Sequence, residues 1–289
     1  MQFLDGMAPL RDRYDAAILD LWGVLHDGVK ATPGALHALD QMQAAGWRRV
    51  LLSNAPRSIE SVKQQVAGYG IPPDRYDAVV TSGYLTRTAL AERADPFHAA
   101  LGRRFYHLGP ERDWGLLDGL DYELVQTPER AHFILNTGLF DDETETAADY
   151  AGLLQLARHK DLPMLCANPD RWVNRGKRLV PCAGVVADAY EALGGKVAWH
   201  GKPHPDAFRA CFRHLPGIAA NRVVMVGDSL PTDIRGANAA GLDSLLVMDG
   251  LHAEEFGLQA GKAADPARVE AAAAKLGVKP TGVLRQFAW

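Results

Sequence analysis

Long apolar runs, paired cysteines and clusters of basic residues are all missing from this sequence of 289 residues. No stretch reaches the roughly 18 consecutive apolar residues of a membrane-spanning helix, and the N-terminus lacks the apolar centre of a signal peptide. The three cysteines, Cys166, Cys182 and Cys211, are too widely spaced for a disulfide framework or a zinc site, so we expect reduced thiols. These absences predict a cytoplasmic protein without a membrane partner.

Acidic and basic residues nearly balance, because 31 Lys and Arg against 35 Asp and Glu give a net charge of −4. Without a sustained basic run, nothing favours binding to nucleic acid or to an anionic membrane. The hydrophobic content of 47% is that of a globular protein with a sizeable core. We therefore expect a globular protein whose partner is a small molecule.

The two ends of the chain alternate buried strand-like runs with amphipathic helical ones. This order predicts an α/β protein with a parallel sheet and helices on both of its faces. The predicted N-terminal elements are strands 16–21, 48–52 and 78–80 and helices 33–45 and 58–68. The predicted C-terminal elements are strands 197–199, 222–226 and 244–248 and helices 205–214 and 232–240.

The middle of the chain has a sequence pattern that differs from that of both ends. The flanking pieces need each other to complete one sheet, so we predict a Rossmann-like core from residues 1–82 and 196–289, with an α/β domain inserted at 83–195. The elements predicted inside the insertion are strands 104–108, 132–136 and 163–166 and helices 143–160 and 184–193.

Four polar motifs each follow a predicted strand, which is where ligands bind in open parallel sheets. A carboxylate there can act as a nucleophile or a metal ligand, a hydroxyl and an amide can hold phosphate oxygens, and a lysine can offset their charge. An acidic pair suits Mg²⁺. Each alone has an ordinary alternative as a turn, cap or surface residue. The motifs are Asp20, Ser53-Asn54, Gly201-Lys202-Pro203, and Gly227-Asp228-Ser229 with Asp233.

Two histidines, His200 and His204, flank the lysine motif. A metal site would need a third ligand, and the sequence offers no obvious one. We therefore expect both histidines to face solvent in a loop.

Taken together and in this order, the four motifs resemble those of the haloacid dehalogenase superfamily, across both halves of the core. The long insertion between the second and third motifs is similar to the large α/β cap of one class, which includes sugar, aryl, phosphoglycolate and pyridoxal phosphate phosphatases. Pro33-Gly34-Ala35 and Asn168-Pro169-Asp170 also resemble this class. The resemblance implies the superfamily's parallel-sheet core with an inserted α/β cap domain.

The resemblance also implies a phosphatase that forms an aspartyl phosphate from a small phosphorylated metabolite. Asp20 would attack the phosphoryl group, while Ser53 and Lys202 would hold its oxygens and Asn54 would reach the substrate side. The loop with Asn168 and Asp170 is a candidate substrate contact in the cap, and an ordinary turn is its alternative. A homodimer formed through the cap is a further implication.

The cofactor that the resemblance implies is Mg²⁺. The ion would lie between Asp20, the backbone carbonyl of Trp22 and Asp228. Asp233 would stand behind these ligands and orient a water ligand of the metal or Lys202.

Trp22 departs from the family pattern, which usually has a second aspartate two residues after the nucleophile. That aspartate protonates the leaving oxygen and then activates water, whereas an indole has one weak donor and no basic site. General acid–base catalysis contributes about 10²–10⁴-fold, so we predict a weakened phosphatase that favours aryl or acyl phosphates. His26 and Asp27 either replace the missing acid or are loop residues that point away. Trp22 itself could stack on a substrate ring or pack beneath the cap.

Two other functions stay open at this point. A long-lived aspartyl phosphate would make the protein a phosphotransferase. Loss of turnover would leave a phosphometabolite-binding or regulatory protein that kept the fold and the metal.

Overall fold

The computed structural model describes residues 1–176, 178–258 and 265–289. In this part of the chain the strands are β1 Gln2–Leu4, β2 Ala16–Leu19, β3 Arg48–Ser53, β4 Ala78–Thr81, β5 Arg104–Leu108, β6 Glu123–Val125, β7 Phe133–Asn136, β8 Met164–Cys166, β9 Trp172–Arg175, β10 Arg178–Pro181, β11 Val197–Trp199, β12 Val223–Gly227, β13 Asp243–Val247 and β14 Gly282–Leu284. The α-helices are α1 Ala35–Ala44, α2 Ile59–Gly68, α3 Ser82–Glu92, α4 Pro96–Ala100, α5 Ala151–His159, α6 Ala183–Ala192, α7 Pro205–Phe212, α8 Arg235–Ala239 and α9 Pro266–Lys275.

Seven strands form the core sheet, in the order β1-β14-β13-β12-β2-β3-β4, and all neighbours in it are parallel. The order reverses at β2, because β3 and β4 continue on one side while β12, β13 and β14 build the other. Such a reversal opens a crevice at the carboxyl ends of the strands. The predicted α/β class with a parallel sheet is thereby confirmed.

Both faces of the core sheet are buried, because successive side chains of a strand point to opposite faces. Leu19 of β2 and Leu51 of β3 pack with α1 and α2 on one face. Ile18 of β2 and Val50 of β3 pack with α7 and α8 on the other. Strands buried on both faces are apolar throughout, which explains why the sequence shows them as continuous hydrophobic runs.

A second, five-stranded sheet, here called the cap sheet, has the order β11-β8-β7-β5-β6 and is also parallel. The position of β11 shows that one expectation was wrong, because we predicted residues from 196 onward to rejoin the core. Trp199 of β11 instead lies opposite Cys166 of β8. A strand of three residues carries too short a pattern to show which sheet it joins. The remaining division into 1–82, 83–195 and 196–289 stays a prediction.

The hairpin of β9 and β10 lies between β8 and α6 and was not predicted. Its tip reaches the core, because the backbone N–H of Gly176 donates to the carbonyl of Asp27 at 3.0 Å. The side-chain amide of Asn174 donates to the carbonyl of Gly250 at 3.3 Å. The hairpin therefore lies across the crevice of the core sheet.

The helix predicted over 143–160 begins later than expected. A 3₁₀ turn over Ala147–Tyr150 precedes α5. Both the backbone N–H and the hydroxyl of Thr146 donate to Oδ2 of Asp149, at 2.8 and 2.9 Å. These bonds fix the start of the helical segment at a point that the apolar pattern alone did not mark.

All three cysteines are buried and unpaired. Cys166 lies in β8, Cys211 lies in α7, and Cys182 directly precedes α6. Within the described residues, no helix combines the length and the apolar character that crossing a membrane requires.

Candidate active site

Three polar residues follow neighbouring strands at the crevice of the core sheet. Asp20 comes directly after β2, Ser53 ends β3, and Asp228 comes directly after β12. Because β2 lies between β12 and β3, their carboxyl ends lie side by side. The three side chains line a cavity of about 110 Å³, whose opposite wall comes from the cap. The structure thus brings together three of the four sequence motifs.

Lys202 reaches the same cavity edge from the segment that follows β11. Its Nζ lies 2.6 Å from Oδ1 of Asp20 and 2.7 Å from Oδ1 of Asp233. The carbonyl of Leu52 at the end of β3 is a third neighbour at 3.4 Å. The lysine motif therefore joins the other three, although the strand before it belongs to the cap sheet.

The neighbouring charges shift the pKa values of Lys202 and Asp20 in this site. Burial would lower the pKa of Lys202, but the carboxylates of Asp20 and Asp233 outweigh burial and raise it above the ordinary value. Lys202 is therefore a cation at neutral pH. Burial raises the pKa of Asp20, and the neighbouring charge of Asp233 raises it further while Lys202 opposes both. The lysine offsets only part of the negative charge.

Asp20, Asp228 and Asp233 form a cluster whose chemistry fits a divalent cation. One oxygen of each carboxylate lies within 4.8 Å of the others. Burial raises the pKa of Asp228 to about 7, and the charge of Asp233 contributes to the rise. A bound cation would relieve this repulsion. The backbone carbonyl of Trp22 accepts no hydrogen bond from the described residues, and such oxygen donors suit Mg²⁺ and Ca²⁺.

The backbone packs so closely on Asp228 that two neighbouring positions require glycine. A Cβ atom on Gly23, which has φ +74°, would lie 1.9 Å from Oδ2 of Asp228. A Cβ atom on Gly250 would lie 2.3 Å from the same oxygen. The backbone N–H of Leu251 donates to Oδ2 at 2.7 Å and holds the carboxylate in place. Glycine accepts both the positive φ and the close approach.

Asp233 is fully buried behind the cavity edge. Its Oδ2 accepts from the backbone N–H of Ser229 at 3.0 Å, and its Oδ1 contacts Lys202. Of the two partners that the resemblance offered, the geometry therefore favours Lys202 over a water ligand of the metal.

Asn54 uses both ends of its amide to hold protein groups. Its Oδ1 accepts from the backbone N–H of Lys202 at 2.7 Å, and its Nδ2 donates to Oδ1 of Asp170 at 2.8 Å. Asn168 and Asp170 line the cavity, and the side chain of Asn168 accepts from the backbone N–H of Asp170 at 3.2 Å, as in a turn. Asn54 therefore ties the cap loop to the lysine segment, a task that the sequence did not suggest.

Trp22 lines the cavity, and its indole contacts the ring of His26 edge-on, with 5.0 Å between ring centroids. His26 is fully buried, accepts from the backbone N–H of Gly28 through Nδ1, and has its pKa lowered to about 4 by burial. The carboxylate of Asp27 accepts two backbone N–H groups of its own turn. Neither residue is among the described residues that line the cavity, which favours the alternative of loop residues that point away from the site.

The expectation that His200 faces solvent was wrong, since only 8% of the residue is exposed. Its ring contacts His98 from the chain segment before β5. Within the described residues, neither His200 nor His204 belongs to a cluster that could hold a metal. Nothing in the hydrophobic pattern of the sequence around Lys202 indicates that His200 is buried.

Ion pairs on the cap side of the cavity were not predicted. Arg57 of the core lies 3.4 Å from Asp113 of the cap, while Asp142 accepts from Arg112 and Arg175. Burial raises the pKa of Asp113 to about 6, although Arg57 opposes the rise. The two partners of each ion pair lie far apart in the sequence and follow no regular spacing, so only the folded chain shows that these residues share a wall.

Comparisons with known proteins agree with this geometry. A family model described as haloacid dehalogenase-like hydrolase matches residues 17–123, and a related HAD-hydrolase-like model matches residues 199–276. A solved haloacid dehalogenase-like hydrolase from Brucella suis 1330 is 37% identical with a TM-score of 0.85, covering 99% of this chain and 100% of that one. Glycerol-3-phosphate phosphatase of Gallus gallus is 30% identical over 253 residues, covering 82% of this chain and 80% of the relative.

A similar sequence and a similar solved structure both come from Mycobacterium tuberculosis. Its D-glycerol 3-phosphate phosphatase is 28% identical over 261 residues, and the match spans 85% of this chain and 66% of the relative's length. A glycerol phosphate phosphatase solved in complex with magnesium is 26% identical with a TM-score of 0.66, covering 95% of this chain and 76% of that one. With the four motifs gathered at one sheet edge, these similarities show that the chain belongs to the haloacid dehalogenase-like hydrolase family.

Proposed function

We propose that the protein is a Mg²⁺-dependent phosphatase of a small phosphorylated metabolite and forms an aspartyl phosphate on Asp20. The observation that carries this proposal is the position of Lys202, whose ammonium group bridges Asp20 and Asp233 beside a carboxylate cluster suited to a divalent cation. Catalysis of phosphoryl transfer depends on positioning the reacting groups and on compensating their negative charge. The residues at this edge of the core sheet can do both. The names of the phosphatase relatives support the same reaction class.

In the first step an oxygen of Asp20 attacks phosphorus, and the bond from phosphorus to the leaving oxygen breaks. Lys202 and the hydroxyl of Ser53 hold phosphoryl oxygens as the negative charge shifts. Asp20, Asp228 and the carbonyl of Trp22 would hold Mg²⁺, which would supply charge compensation for the nucleophile and the phosphoryl group. In the second step water attacks phosphorus and releases Asp20 and inorganic phosphate.

The tryptophan at position 22 cannot protonate the leaving oxygen, and this restricts the class of substrate further. A leaving oxygen that departs as a stable anion needs no proton, as in an aryl or acyl phosphate. An alkyl alkoxide does need one, and general acid catalysis at that point is worth about 10²–10⁴-fold. We therefore propose that aryl or acyl phosphates are turned over faster than alkyl phosphates.

The test compares p-nitrophenyl phosphate and acetyl phosphate with glycerol 3-phosphate as substrates. We expect phosphate release from the first two to exceed that from the third by about 10²–10⁴-fold. Release is expected to stop with EDTA and to return when Mg²⁺ is added in excess. Equal rates on all three esters would contradict the leaving-group argument, and full activity in EDTA would contradict the role given to the metal.

Trp22 also favours a second candidate, a phosphotransferase or a phosphometabolite-binding protein. Without a group that activates water, the aspartyl phosphate would break down slowly and could pass its phosphoryl group to another acceptor. The phosphotransferase predicts one rapid turnover per enzyme followed by arrest, with release restored by added alcohols or other acceptors. The binding protein predicts no turnover of any phosphate ester. Steady hydrolysis without acceptor would exclude both.

A further inference from the structure

The chain passes between the two sheets at two places. The outgoing passage runs from the end of β4 through α3 and α4 to β5, and the returning passage runs from β11 to α7. His98 lies in α4 of the outgoing passage, and His200 is the first residue after β11 in the returning one. Both residues are buried, with 6% and 8% of their surfaces exposed.

A chain of hydrogen bonds joins these two passages. Nδ1 of His98 lies 2.5 Å from Oδ2 of Asp95, and Nε2 of His98 lies 3.1 Å from Nε2 of His200. Oδ1 of Asp95 also accepts from the backbone N–H groups of Phe97 and His98, which fixes the carboxylate in the first turn of α4. We call Asp95, His98 and His200 the histidine clasp.

The contact between two imidazole nitrogens restricts the protons in the clasp. Nδ1 of His98 carries a hydrogen because it faces a carboxylate, so one proton must lie between the two Nε2 atoms. With a proton on each Nε2, two donors would face one another and the bond would be lost. Burial lowers the pKa of His200 to about 3, with His98 and His204 acting in the same direction and Asp95 opposing. His200 is therefore neutral near pH 7, as the bond requires.

One residue, Gly201, separates the clasp from Lys202. Gly201 has φ +116°, and a Cβ atom there would lie 2.4 Å from Oδ1 of Asn54. The backbone on each side is held, since the N–H of His200 donates to the carbonyl of Cys166 at 3.0 Å and the N–H of Lys202 donates to Asn54. Because glycine itself is conformationally free, the direction of Lys202 depends on what fixes its neighbours.

We propose that Asp95, His98 and His200 are positioning residues that fix the returning passage, so that Lys202 reaches Asp20 and Asp233. None of the three is among the described residues that line the cavity, so the clasp acts through Gly201 and Lys202. Its catalytic effect rests on the proposed function, while its effect on the lysine segment does not.

Kinetics of His98→Phe, His200→Phe and the double variant test the proposal with p-nitrophenyl phosphate. Small displacements of a positioned group cost up to about 10²-fold, so we expect each single change to lower kcat about 10-fold or more, with a smaller change in KM. The double variant should be no slower than the worse single variant, because both changes break one bond. Additive losses, or an unchanged kcat, would overturn the proposal.

Two further variants separate positioning from general stability. His200→Gln keeps a side chain that can donate to or accept from His98, and it should restore most of the lost kcat. Tyr190→Phe removes a buried hydrogen bond of 2.5 Å to the carbonyl of Leu162 in the cap, and neither residue belongs to either passage. It should lower Tm and leave kcat unchanged. If the Phe variants fail to fold, the Asn variants at the same two positions replace them.

Hydrogen exchange at the Lys202 backbone amide tests the clasp without any substrate. We expect exchange to accelerate about 10-fold or more in each histidine variant, to the same extent in the double variant, and not in Tyr190→Phe. Unchanged protection would overturn the proposal. If the wild-type protein hydrolyses no phosphate ester, the proposed function fails, and the amide exchange still decides whether the clasp holds Lys202.

Discussion

Phosphate release is expected to fall at least about 10⁴-fold when Asp20 is replaced by Asn, because the amide cannot attack phosphorus. The change is isosteric and removes one charge from a crowded, buried cluster. Since burial and Asp233 raise the pKa of Asp20, the carboxylate is poorly stabilised in the fold. Tm should therefore stay the same or rise. Initial rates with p-nitrophenyl phosphate and thermal unfolding measure the two effects.

The matched control for this change is Asp77→Asn. Asp77 is also a carboxylate beside a strand of the core sheet, and it accepts from the side chain and backbone of Arg49. It is not among the described residues that line the cavity. We expect Asp77→Asn to lower Tm and to leave kcat within about 2-fold of wild type, as is usual away from functional groups. Comparable activity of Asp20→Asn and wild type would refute the nucleophile assignment.

Replacing Trp22 by Asp should accelerate hydrolysis of alkyl phosphates by about 10²–10⁴-fold, the typical contribution of general acid–base catalysis. At about 1.4 kcal/mol for each tenfold, this corresponds to roughly 3–5.5 kcal/mol of activation free energy. The gain should be smaller for p-nitrophenyl phosphate, because its leaving group departs as a stable anion. Steady-state rates with glycerol 3-phosphate and p-nitrophenyl phosphate measure the difference.

The variant Trp22→Asn distinguishes the effect of lacking an acid at position 22 from a steric effect of the indole. Like Asp, Asn is small, but it cannot donate or accept a proton at this point of the reaction. Both variants lose the contact between the indole and His26, so their Tm values should fall alike. An equal gain in rate for Asn and Asp would show that the indole blocks the site, and no gain for Asp would show that acid catalysis is not what limits turnover.

The sequence predicted the four motifs and the side of the core sheet on which they meet. Asp20 and Asp228 each follow an apolar strand and Ser53 ends one, and parallel strands put their carboxyl ends on one edge of the sheet. This inference needed only local pattern and strand direction. Lys202 is different, because the strand before it belongs to the cap sheet. Its place among the motifs followed from the family resemblance and not from the direction of the core strands.

The features that the sequence did not predict depend on contacts between distant segments. Nothing in the local pattern shows that His98 and His200, which belong to different passages, share a hydrogen bond. The same is true of Arg57 and Asp113 across the cavity. His26 illustrates a third limit, because a polar residue in a loop was as consistent with solvent as with burial under Trp22. Side-chain burial of this kind is decided by tertiary packing.

The most direct test of the central claim is to trap the phosphorylated enzyme. Wild-type protein with Mg²⁺ is mixed with excess acetyl phosphate or p-nitrophenyl phosphate, quenched in acid within milliseconds to seconds, digested and analysed by mass spectrometry. We predict one added phosphoryl group on the peptide that contains Asp20, removable by hydroxylamine and absent from Asp20→Asn. Turnover of substrate without any phosphorylated peptide, or with the phosphoryl group on another residue such as Ser53, would contradict the account.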